Sequence, residues 1–62
     1  MTISQEYFEA LEPFDRGYVV YLYGRRDDEP NIPNEEEPPY ELGSIEYTQY
    51  LSGKRQAISA TG

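Results

Sequence analysis

The sequence predicts a small all-α protein, a helix-loop-helix with a long acidic, proline-rich connection. Three observations carry this expectation. Apolar residues recur at three- and four-residue spacings in the first third of the chain, serines stand where helices would begin, and four prolines interrupt the middle. At 62 residues the chain reads as a single small domain, 1–62.

The first element follows from Ile3, Tyr7, Leu11, Phe14, Tyr18, Tyr21 and Leu22, which suit one apolar helix face. Ser4 is placed to cap its start, and Glu6 in the first turn complements the helix dipole. Pro13 lacks an amide hydrogen and clashes with the preceding turn. It either kinks one helix or, as the better reading, opens a second helix directly after Glu12. Arg25 and Arg26 then sit where positive charge favours a helix end. A strand over Tyr18–Tyr23 is the alternative, because that run has high β-propensity and is bounded by Gly17 and Gly24.

Residues 27–43 form the connection. Its first fifteen residues, 27–41, hold seven acids, four prolines and no basic residue. Proline density forbids a long helix there, and like-charge repulsion favours an extended chain with exposed acids. A C-terminal helix is expected over 44–60, with Ser44 as cap and Glu46 in its first turn. Tyr47, Tyr50, Leu51 and Ile58 mark its apolar side and Ala57 its flank. Gly53 weakens that helix by about 1 kcal/mol, which a close packing approach would explain.

Composition bounds the chemistry. Twelve acids against five Lys and Arg give a net charge of −7, and Cys, His and Trp are absent. A disulfide framework, a thiolate metal site, a cysteine nucleophile and a His-dependent triad are thereby excluded. Asp27, Asp28 and Glu29 are contiguous and lack the alternating spacing of a calcium loop, so they read as a solvated run. No metal, no cofactor and no enzymatic activity are expected. The thin core of so short a chain suggests a marginal monomer, a homodimer or a partner-stabilised fold. No run approaches ~18 apolar residues and no basic-then-apolar leader is seen, so a cytoplasmic location is expected.

Charge also selects the partner class. An acidic domain repels phosphate backbones and anionic membranes, whereas a basic protein surface attracts it. Of the seven tyrosines, Tyr18, Tyr21, Tyr47 and Tyr50 follow helix faces and are expected inside. Tyr23 and Tyr40 are expected nearer the surface, where an aromatic can anchor a contact.

Two segments resemble the ribosome modulation factor family of small bacterial proteins. They are Arg16-Gly17-Tyr18-Val19-Val20-Tyr21-Leu22-Tyr23-Gly24-Arg25 and Gln49-Tyr50-Leu51-Ser52-Gly53-Lys54-Arg55-Gln56-Ala57, with Pro39-Tyr40 resembling the step before the family's second helix. The matched pieces cover about a third of the chain. The family is basic and binds ribosomal RNA, while this chain is acidic and its loop is longer. The resemblance implies a helix-loop-helix in which Gly17, Gly24 and Gly53 let the helices approach closely. The other reading of Gly17 and Gly24 makes them ordinary helix ends or turn residues. It also implies a bacterial or phage setting.

Three functional expectations follow. The first is a small acidic, non-enzymatic regulator or inhibitor that imitates nucleic acid on a basic partner, using Asp27, Asp28, Glu29, Glu35, Glu36, Glu37 and Tyr40. The second, which the resemblance implies, is a ribosome-associated factor with Arg16, Arg25, Arg26, Lys54 and Arg55 facing RNA. Direct nucleic-acid contact is expected only under that reading. The third is a structural dimerisation module.

Overall fold

A computed structural model describes residues 2–24, 26 and 28–61. Arg25 and Asp27, both named above, lie outside the described residues. The element order is α1 (Gln5–Glu9), α2 (Pro13–Tyr23) and α3 (Ile45–Thr61), with no strand among the described residues. Tyr18–Tyr23 is therefore helical throughout. Its β-propensity had no second strand to pair with, and burial decides such a run more than propensity does.

Local chemistry sets the helix starts. The Ser4 hydroxyl accepts the Tyr7 N–H at 3.1 Å and opens α1. Glu12 is the extended residue before α2 and Pro13 is the first residue of that helix, where its missing donor costs nothing. Ser44 repeats the first device, accepting the Tyr47 N–H at 3.1 Å at the head of α3. Gly24 ends α2, its N–H donating to the Val20 carbonyl at 2.8 Å, so it is a helix end and not a residue within the helix.

The helix pair α2–α3 is the frame of the molecule, and it closes through glycine. A Cβ built on Gly17 would overlap the Tyr50 carbonyl, and one on Gly53 would overlap the Phe14 carbonyl. The two backbones therefore touch where both side chains are absent. Tyr50 and Ala57, each 0% exposed, fill the same seam. Ala57 thus lies at the centre of the interface, not on its flank, while Ile58 is 48% exposed.

The opposite side of α2 packs on a second cluster. Phe8, Val20 and Ile32 are buried together, with Ile3, Leu11, Val19 and Tyr23 packed around them. The single apolar face running from Ile3 to Leu22 is corrected by this arrangement: Tyr7 and Phe14 are 63% and 40% exposed, whereas Phe8 and Val20 are buried. The break at Pro13 resets the helical phase, and α2 is buried on two sides, so no single stripe describes it.

The acidic connection is folded and not extended. Ile32 inserts into the Phe8–Val20 cluster, and a turn bonds the Ile32 N–H to the Glu29 carbonyl at 3.2 Å. Glu29 is buried and accepts the Ile3 N–H at 2.6 Å, while the Asn31 side-chain amide donates to the Ile3 carbonyl at 3.1 Å. Exposed like charges repel weakly in screened solvent. Burial of Ile32 together with these bonds outweighs that repulsion, and the prolines leave less chain entropy to lose.

The Gly17→Ala substitution is expected to destabilise the protein by about 1–3 kcal/mol in urea unfolding, because the added methyl meets backbone that cannot repack. Helix propensity pulls the other way by only about 1 kcal/mol. A gain in stability would show that the helices do not touch at this point.

Candidate functional site

The carboxylate of Glu35 joins the loop to both long helices. Arg16 on α2 grips it with two parallel bonds, Nε donating to Oε1 at 3.2 Å and Nη2 donating to Oε2 at 2.8 Å. From α3 the Tyr50 hydroxyl donates to Oε1 at 3.0 Å, and Lys54 Nζ donates to the Glu35 backbone carbonyl at 3.0 Å. The Arg16 and Glu35 side chains are 18% and 16% exposed, so this fork is shielded from solvent far more than a surface pair. Arg16 also lies over the Phe8 ring at 4.5 Å, and Lys54 over the Tyr50 ring at 5.2 Å.

The electrostatics follow from that geometry. The hydrogen bond to Glu35 raises the Arg16 pKa against the opposing effect of burial, which fixes its charge. Burial first, and then the bond to Glu35, push the Tyr50 phenol well above its ordinary value. Tyr50 is therefore a neutral donor aimed at a carboxylate.

The loop acids thus divide into two groups. Glu29 and Glu35 point inward and hold the chain together, correcting the expectation that the loop acids are exposed. Glu36 and Glu37 stand in solvent, and Asp28 is also exposed while paired with Arg26 at 2.8 Å. Tyr40 is half-buried, its ring edge-on to Tyr50 with centroids 6.0 Å apart. Among the described residues no group of three or more Asp or Glu is placed to hold a metal ion.

The described basic residues are not gathered on one face toward solvent. Arg16 and Lys54 converge on Glu35, Arg26 turns to Asp28, and Arg55 is exposed on α3. A shallow cleft beside the fork is lined by Val20, Tyr21, Asn34, Glu35, Glu36 and Lys54.

Searches against protein-family models, curated proteins and solved structures find no match. The site is accordingly read from its own geometry. No helix of the described residues is long and apolar enough to cross a membrane.

Two residues that the sequence reading left aside are exposed where the connection enters α3. Leu42 and Ile45 are 80% and 74% exposed, the most exposed large apolar side chains described. Leu42 precedes the α3 cap and falls outside the helical periodicity, which is the signal that sets it apart from core positions.

Glu35→Gln is expected to lower stability by about 2 kcal/mol, since it weakens bonds made by a charged group. Glu36→Gln should change it by less than about 0.5 kcal/mol. Comparing the two by urea unfolding separates the inward acid from the outward one. Tyr50 supplies a pH test. Below 10.0, its ordinary value, folded and unfolded chains both keep the phenolic proton and its stabilising effect is complete. As pH rises above that value the unfolded chain ionises first, and stability falls. The urea midpoint of the parent should drop more steeply than that of Tyr50→Phe between about pH 9 and about pH 11.

Proposed function

We propose that this protein is a small, non-enzymatic binding module that acts on a basic surface of a larger protein. The supporting observation is how charge is distributed between inside and outside. Arg16 and Lys54 are engaged at Glu35 and Arg26 at Asp28, while Glu36 and Glu37 remain exposed without a partner among the described residues. Of the four described cations three are thus engaged within the fold and Arg55 alone is exposed without a bond, so in a chain of net charge −7 the outward field is dominated by free carboxylates.

In this reading Glu36, Glu37 and Asp28 meet Lys and Arg on the partner, and Tyr40 adds an aromatic contact beside them. Asp27 would extend the same run. Glu29 and Glu35 contribute indirectly, by fixing the loop so that the outward acids need little further ordering on binding. Carboxylates held at fixed positions can occupy a groove that otherwise holds phosphates, so the module would inhibit by competition. A bacterial or phage setting is part of the same proposal, drawn from the resemblance of residues 16–25 and 49–57 alone.

Affinity capture of the tagged protein from bacterial lysate, at low and moderate salt and with nuclease treatment, tests this reading. A basic nucleic-acid-handling protein is expected to be retained without nucleic acid and released by salt. The double variant E36Q/E37Q should weaken its capture about fivefold at low salt, equivalent to about 1 kcal/mol from two exposed ion pairs, and flatten the salt dependence. Ribosomal proteins lost on nuclease treatment would contradict the proposal and favour an RNA-facing role for Arg55 and its neighbours. Unchanged capture by E36Q/E37Q would contradict it as well.

A further inference from the structure

The turn that leads into α3 presents two aliphatic side chains in an acidic frame. Leu42 and Ile45 are 80% and 74% exposed. Their backbone is fixed by three local devices. The Ser44 N–H donates to the Glu41 carbonyl at 3.1 Å, the Ser44 hydroxyl caps the helix, and Gly43 takes the left-handed conformation at φ +86°. A side chain on such a turn is held in place before any contact forms, which favours binding.

A single exposed leucine is ordinary. Here one aliphatic residue lies in the turn 41–44 and the other opens α3 directly after it, and Glu41 and Glu46 beside them are both exposed. From residue 27 to residue 53 the chain contains no Lys or Arg. The exposed apolar pair is thus flanked in sequence on both sides by an exposed carboxylate.

That combination selects its occupant. A second copy would bring the same acids to the contact and a net charge of −7, and of its described cations Arg55 alone is exposed without a bond, Arg16 and Lys54 being held at Glu35 and Arg26 at Asp28. Phosphate backbones and anionic membranes share the sign of this surface and are repelled. A groove with an apolar floor and a rim of Lys and Arg complements both parts.

We propose that Leu42 and Ile45 are the apolar anchor of the acidic face, and that they dock into an apolar groove rimmed by Lys and Arg on another protein. This rests on the basic-partner reading above and adds to it a non-ionic component. A nucleic acid competing for the rim has no aliphatic group to fill the groove, so the anchor would distinguish this protein from the phosphates it imitates.

Two synthetic peptides of equal positive charge test the proposal against the intact protein by fluorescence anisotropy. One is an amphipathic helix with a Lys face and a Leu face, and the other carries Lys among Ser and Gly only. The amphipathic peptide is expected to bind at least ~10-fold tighter, and L42S/I45S should abolish that difference while leaving the Lys/Ser/Gly peptide unaffected. Both substituted side chains are exposed, and thermal unfolding of the variant should match the parent. Unchanged affinity of L42S/I45S for the amphipathic peptide would overturn the anchor while leaving the basic-partner reading intact. Failure of both peptides to bind the parent at low salt would overturn both. A dimer seen by sedimentation equilibrium in the parent and lost in L42S/I45S would assign the turn to a second copy, and so would also overturn the proposal.

Discussion

The approach of α2 to α3 at Gly17 and Gly53 is the constraint on which the other features depend. With no side chain at either position, the Tyr50 carbonyl and the Phe14 carbonyl occupy space that a Cβ would need. The close crossing places Tyr50 wholly inside the seam while its hydroxyl reaches the loop. A wider spacing would move α3 relative to α2, and Arg16 and Tyr50 would no longer meet at one carboxylate. Glycine in a helix costs about 1 kcal/mol relative to alanine, and here that cost is offset by the contacts that the crossing permits.

Glu35 transmits this geometry to the connection. It lies 19 residues from Arg16 and 15 from Tyr50 in sequence, so its bonds close large loops over a small core. Glu29 fixes the other end through the Ile3 amide, and Ile32 seats the middle on Phe8 and Val20. An acidic segment that composition alone would leave solvated is thereby given one conformation. Sorting its acids into holding and presenting groups is what turns net charge into a shaped surface. The proposed binding role draws on that shape: carboxylates and aliphatic side chains kept in place bind with less loss of entropy than the same groups on a flexible chain.

Much of the frame was legible in the sequence where local chemistry governs it. Ser4, Pro13 and Ser44 mark helix starts because caps and proline act within one turn. Gly53 signalled a close approach because glycine is unfavourable within a helix unless packing requires it. What was not legible depends on partners far away in the chain. Phe8 and Val20 are core residues because α2 is covered on two sides, and a one-face pattern misassigns Tyr7 and Phe14. Nothing local distinguishes Glu29 and Glu35 from Asp28 and Glu36, since the Ile3 amide and the Arg16–Tyr50 pair that claim them are remote in sequence. Leu42 and Ile45 read as ordinary apolar residues until their exposure is seen. The candidate surface was thus legible as to its charge but not as to which acids carry it.

The most direct test of an acidic connection ordered by internal carboxylate bonds is backbone 15N relaxation of the free protein in solution. Amides of residues 29–41, prolines apart, are expected to show order parameters near the ~0.85 of rigid backbone, matching α2 and α3. Values below about 0.6 through this segment, with the helices rigid, would describe a solvated acidic chain. That result would contradict the division of its acids into inward and outward groups.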